Sequence, residues 1–363
     1  MIASIIPATP RQMHRILLAL LLAASVNLAP AATSIVPASI GSVQRYAADF
    51  AQLVNNGESV HLVAQGATWA EGPAWIADPG FLLLSDPPKD RMYRWTPGTS
   101  SLEIFLEPSG GTETKGFREP GSNGLKPAGP GLLLMADSGN RAIALLDLRT
   151  RSKRLLTERF QGKKFNSPND LAVGPDGAIW FTDPPYGLEG INASPLKEQT
   201  ANRVYRLGAD GKVTAVESEL DFPNGIVFSP DGRTLYVSNS DPKRAVILAW
   251  NVSPQGALSR RRVFADMTAL SAKGVPGLPD GMCMDERGDL WAASPGGIRV
   301  FSPDGRPIGL IATGATISNC TFGGADGRTL FMTSTHALAS LRTKVRGAPF
   351  RIPSFLSAAK IGK

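Results

Sequence analysis

The sequence has almost no material for the commonest catalytic centres. Its 363 residues hold three histidines and two cysteines. No His-Glu-x-x-His, Cys-x-x-Cys or His-rich tract occurs, which excludes a zinc site built from imidazoles and thiolates. A Gly-x-Ser-x-Gly elbow is also missing, and with only His61 and His336 left beyond the expected export signal no Ser-His-Asp triad is plausible. Strong charge of one sign is lacking: 38 Lys and Arg against 31 Asp and Glu leave a formal net charge of +7. The one run of three cations, Arg260-Arg261-Arg262, is expected in a solvated loop, so no nucleic-acid partner is implied. Long apolar runs are absent except at residues 16–24, a stretch shorter than the roughly 20 residues a membrane-spanning helix needs. Arg11 and Arg15 precede that run and small residues at 29–32 follow it. The pattern predicts an export signal over residues 1–31, a mature domain over 32–363 with no membrane span, and a periplasmic or secreted location. An oxidising compartment permits a disulfide between Cys283 and Cys320, but their number is equally compatible with two buried thiols.

Turn-forming residues are abundant, with 38 Gly and 29 Pro scattered through the chain, which excludes a helix bundle and points to many short strands. One phrase recurs. It reads Pro-Asn-Gly, an apolar strand, a Pro-Asp-Gly turn, then a second apolar strand ending in a small or acidic residue. The clearest copy starts at Pro223-Asn224-Gly225, turns at Pro230-Asp231-Gly232 and ends at Ser238-Asn239. Related copies are headed by Glu71, Asn123, Asn169, Asp280 and Asn319, at spacings of 39 to 56 residues. Each interval has room for about four strands. Six such units predict an all-β, six-bladed propeller with four-stranded blades around a central channel. The Asp-Gly pairs at 176–177, 231–232 and 326–327 are expected as type I′ hairpin turns, and the Gly-rich stretch 109–130 as a surface loop.

The six head positions all bear a carbonyl or carboxylate oxygen. Equivalent positions of a radial repeat lie at one height around the axis, so these oxygens are expected to converge at the channel. A ring of hard oxygen donors with two carboxylates suits calcium, which takes six to eight such ligands, better than magnesium.

These segments also resemble a known family. Ala70-Glu71-Gly72-Pro73-Ala74-Trp75, Asn166-Ser167-Pro168-Asn169-Asp170, Phe181-Thr182-Asp183-Pro184-Pro185-Tyr186-Gly187, Phe222-Pro223-Asn224-Gly225 and Leu278-Pro279-Asp280-Gly281-Met282 are similar to motifs of the gluconolactonase and regucalcin propellers. The resemblance implies a channel cation, calcium or another divalent ion, held by Glu71, Asn169, Asn224 and Asp280, and a small-molecule lactone as substrate. Two departures stand out: Ser167 where regucalcin-like members have Arg, and Ser138 where many bacterial members have His. The expected activity is calcium-dependent lactone hydrolysis, in which the metal polarises the carbonyl, water attacks, and Asp280 acts as general base. Asn123, Asn319, Arg118, Tyr186 and His336 are the candidate substrate contacts. The alternatives are a phosphotriesterase or arylesterase on the same platform, or a non-catalytic binding propeller with structural calcium.

Overall fold

Leu82, Leu83 and Leu84 show in three residues how the core is made. Successive side chains of a strand point to opposite faces. Leu82 and Leu84 therefore enter one apolar cluster and Leu83 another, and all three are fully buried. The pattern repeats around the molecule in six apolar clusters, each filled from two neighbouring sheets. Sheets buried on both faces and packed edge to axis in a closed ring make a six-bladed β-propeller. The computed structural model describes residues 38–353 and 355–356. The expected export segment, residues 1–31, lies outside them. Among the described residues no helix is long and apolar enough to cross a membrane.

Each blade is antiparallel, with its innermost strand first. Blade one comprises Glu71–Ile76, Phe81–Asp86, Arg91–Trp95 and Glu103–Leu106. Blade two comprises Ser122–Pro127, Leu132–Asp137, Ala142–Asp147 and Lys153–Thr157. Blade three runs Leu171–Val173, Ile179–Asp183, Arg203–Leu207 and Val213–Glu217; blade four runs Pro223–Phe228, Thr234–Asp241, Arg244–Val252 and Leu258–Asp266. Blade five starts at Met282–Met284 and blade six at Ile317–Gly323. Both have five strands rather than the expected four, because the N-terminal segment supplies their outer edges. Ser42–Arg45 pairs with Pro307–Ala312 of blade five. Val60–Gln65 pairs with Ala337–Arg342 of blade six, and Ser39–Ile40 pairs with Val60–Gln65 in turn. The ring is thus closed by the first long strand lying against the last.

Three local expectations are corrected. Arg260, Arg261 and Arg262 form part of the exposed outer strand Leu258–Asp266 rather than a loop, where Arg261 pairs with Glu217 and Glu219. Ser122–Pro127, inside the expected loop 109–130, is the inner strand of blade two. The Asp-Gly turns are not type I′, since Gly177, Gly232 and Gly327 have positive φ but the aspartates before them do not. In the first, the Gly177 N–H donates to the Gly174 carbonyl at 3.0 Å, with Pro175 and Asp176 between, and Asp176 Oδ1 accepts the Ala178 N–H at 3.1 Å. Proline's fixed φ presets a type I turn, which leaves only the following glycine left-handed.

The upstream glycines have a different reason. Gly124, Gly225 and Gly281 keep ordinary φ, yet a Cβ on Gly225 would lie 2.3 Å from the Asp280 carbonyl oxygen and one on Gly281 would lie 2.0 Å from Asn319 Cγ. Inner strands of adjacent blades converge at the axis, and only glycine lets them approach so closely.

Candidate active site

The head of every inner strand reaches the same end of the channel. Glu71, Asn123, Asn169, Asn224 and Asp280 line one cavity of about 330 Å³, together with Trp69, Arg118, Glu119, Tyr186, Ser240 and Thr316. Two repeated devices set these heads in place. In the first, a polar residue at or near the end of the second strand of a blade holds the backbone just before the head. Asp86 accepts the N–H groups of Thr68 and Trp69 at 2.8 and 3.0 Å, Asp183 that of Asn166 at 2.8 Å, and Asn239 that of Phe222 at 2.9 Å. In the second, a hydroxyl on that strand or just past its end donates to the next blade. Ser138 Oγ reaches the Pro168 carbonyl at 2.9 Å, Thr182 Oγ1 the Asn224 carbonyl at 2.6 Å and Ser238 Oγ the Asp280 carbonyl at 2.8 Å. These hydroxyls went unassigned in the sequence, whose only trace of them is the small or acidic end of each second strand.

The orientation of the amides follows from their partners. Asn224 donates from Nδ2 to Ser240 Oγ at 3.0 Å, which leaves its Oδ1 to the cavity; Ser240 in turn donates to the Pro279 carbonyl at 2.5 Å. Among the described residues the Asn123 and Asn169 side-chain amides have no hydrogen-bond partner, although both residues are buried. Asn319 differs from the other heads. Its Oδ1 accepts the Cys320 N–H at 2.8 Å and its Nδ2 lies 3.5 Å from Glu71 Oε2, so it supports Glu71 from behind and does not line the cavity.

Glu71 is buried, and desolvation pushes its carboxyl up to about 8 against the opposing bonds from Gly72, Trp69 and Asn319. Asp280 faces the cavity with partial exposure; desolvation and then the nearby Glu71 charge push it well above the carboxylate range. Neither forms an ion pair among the described residues. Asp170, buried beneath them and likewise raised by desolvation, has Lys126 Nζ at 3.8 Å. Lys126 thus offsets one of three negative charges and leaves two that face each other in a low-dielectric pocket. Such a pair is costly unless protonated or matched by a cation. No group of three or more His, Cys, Asp and Glu side chains that could hold a metal occurs among the described residues. The donor set here is instead two carboxylates with amide oxygens, which fits a hard dication and no softer one.

The cavity mouth is formed by two loops locked together. The Arg118 and Glu119 N–H groups both donate to the Gly187 carbonyl, at 2.9 and 3.2 Å. Half-exposed Arg118 pairs with Glu119 at 2.5 Å, and Tyr186 stacks on Phe222 with ring centres 5.5 Å apart. Desolvation raises the Tyr186 hydroxyl above its ordinary value, so it stays a neutral donor. His336 is exposed, outside the cavity lining, with Nδ1 3.2 Å from the Ala67 carbonyl. Ser167, where the resemblance leads one to look for arginine, is buried and donates to the Pro184 carbonyl at 2.7 Å while accepting the Gly187 N–H.

Residues 69–336 match the model of the SMP-30/gluconolactonase/LRE-like region. The chain belongs to this family. A gluconolactonase of Zymomonas mobilis is 41% identical over 85% of the chain and 88% of its own length. A pentonolactonase of Haloferax volcanii is 28% identical over 73% of the chain and 80% of its own. Among solved structures, a gluconolactonase from Xanthomonas campestris superposes with a TM-score of 0.72 at 36% identity, covering 85% of this chain and 96% of that one. Membership places the chain among lactone-hydrolysing enzymes, which act on ester bonds.

Proposed function

We propose that the chain is a sugar lactonase whose channel cavity holds a divalent cation, calcium by the chemistry of its donors, on Glu71, Asn169, Asn224 and Asp280. The observation that carries this reading is the pair of carboxylates, Glu71 and Asp280, in one cavity with amide oxygens around them and no ion pair to either, the cavity's arginine, Arg118, being paired with Glu119. When bound, the cation supplies Lewis-acid polarisation of the lactone carbonyl. The rest is the work of this chain's side chains. Asp280 takes the proton of the attacking water as the water oxygen bonds to the carbonyl carbon; the ring C–O bond then breaks, and the ring oxygen recovers a proton to give the hydroxy acid. Arg118, Glu119, Asn123 and Tyr186 stand at the mouth as donors and acceptors for the sugar hydroxyls, and Trp69 offers an apolar wall. An exported location belongs to the same reading, supported by the residue pattern at 11–32.

The test is acid release from glucono-δ-lactone above the spontaneous rate, by the purified chain before and after EDTA, then with calcium restored. Turnover is expected to vanish and return, and Asp280→Asn to lower kcat by about 100-fold or more. Turnover indifferent to EDTA would remove the cation from the mechanism. Calcium binding without turnover of any lactone in a panel would leave a binding propeller, and turnover of an aryl ester or phosphotriester alone would favour the esterase reading.

A further inference from the structure

Both cysteines lie at one junction, where the inner strands of blades five and six meet. Cys283 is on Met282–Met284 and Cys320 on Ile317–Gly323, and their sulfurs are 2.8 Å apart. A shift of less than about 1 Å brings them to the roughly 2.05 Å of an S–S bond. The backbone around them is already pinned: the Gly281 N–H donates to the Ser318 carbonyl at 2.8 Å, and the Cys320 N–H to its neighbour's Oδ1. The chain has no third cysteine, so the choice of partner is fixed.

We propose that Cys283 and Cys320 are a disulfide-forming pair that rivets blade five to blade six beneath the cavity. The oxidant is itself a disulfide, of the glutathione or protein type. One thiolate attacks it, forming a mixed disulfide and expelling one thiolate of the oxidant; the second cysteine attacks the mixed disulfide and releases the other. Two protons leave the cysteines, and two electrons reduce the oxidant to its two thiols. Cys283 is the point of entry. It is partly exposed and lines a small cavity at the far end of the channel, between Lys126 and Phe322, whereas Cys320 is fully buried. Burial, together with the Cys320 sulfur, pushes the Cys283 thiol up, so exchange in the closed ring is slow and the bond is made mainly as the chain folds. The link holds two parts of the site in register. Cys320 follows Asn319, the residue behind Glu71, and Cys283 lies on the strand that begins just after Asp280.

The full chain, purified in reductant, is exposed to oxidised glutathione at about pH 8.5 in two arms, folded and diluted from guanidinium. Both are quenched in acid, denatured and alkylated with iodoacetamide. The expected result in at least the refolded arm is two unlabelled cysteines, one joined peptide pair on mass analysis, and a Tm about 5 °C above that of the reduced chain. Cys283→Ala/Cys320→Ala is expected to show no response to the oxidant; if that variant does not fold, Cys283→Ser serves instead. Full alkylation of both cysteines in both arms, or separate glutathione caps without a link, would overturn the proposal. This outcome is independent of lactone turnover.

Discussion

One hydroxyl, that of Ser240, serves two of the four proposed cation ligands. It accepts from the Asn224 amide and donates to the carbonyl just before Asp280. Ser240→Ala is expected to lower stability by about 1–3 kcal/mol through the unpaired buried groups it leaves, as a shifted urea midpoint, and to cut kcat/KM roughly tenfold. Unchanged kinetics would show that Asn224 does not need this support. Gly281→Ala forces a Cβ into the Asn319 side chain and is expected to destabilise by about 1–3 kcal/mol, with weaker calcium binding by calorimetry, because Asn319 backs Glu71. The oxygen-bearing heads were legible in the sequence because each one opens a recurring phrase. The role of Asn319 was not, because it depends on which way one amide faces, and that is set by the Cys320 N–H. Nor were the hydroxyl latches legible, since the acceptor of each sits in the following blade.

At the scale of elements, the blades themselves were readable: the turn phrase marks the first two strands of each, and both-face burial gives apolar runs such as Leu82-Leu83-Leu84. What remained hidden was the closing strand, Val60–Gln65, which carries no copy of the phrase and pairs with a strand at the other end of the chain. The fifth strands of blades five and six escaped for the same reason. Two truncations separate their weights. A chain starting at residue 46 loses only the outermost edges and is expected to melt cooperatively. One starting at residue 67 also loses Val60–Gln65 and the buried Phe50, Leu53 and Val54, exposes the edge of blade six and uncovers the apolar clusters that it shares with blades one and five. It is expected to lose the cooperative transition in calorimetry; a sharp transition would mean the ring closes without its clasp.

For the whole molecule, the two uncompensated carboxylates tie stability to pH and to cations. In the cation-free ring Glu71 keeps its proton up to about pH 8. An unfolded chain releases that proton near 4.3. Between these values the folded state binds more protons, so this group makes stability fall as pH rises through the window and level off above about 8. A bound dication removes the cost of the ionised pair. The rise in Tm on adding calcium after EDTA is therefore expected to be larger at pH 8 than at pH 6, and to shrink in Glu71→Gln. Equal increments at both pH values would contradict the assignment.

The clasp also sets a timetable for synthesis. Val60–Gln65 leaves the ribosome early, while its partner Ala337–Arg342 is made near the end. At ordinary elongation rates the wait is on the order of tens of seconds. Throughout it, the strand has no partner to pair with, and an unpaired edge of that kind is what exposes a nascent chain to aggregation until the last blade arrives.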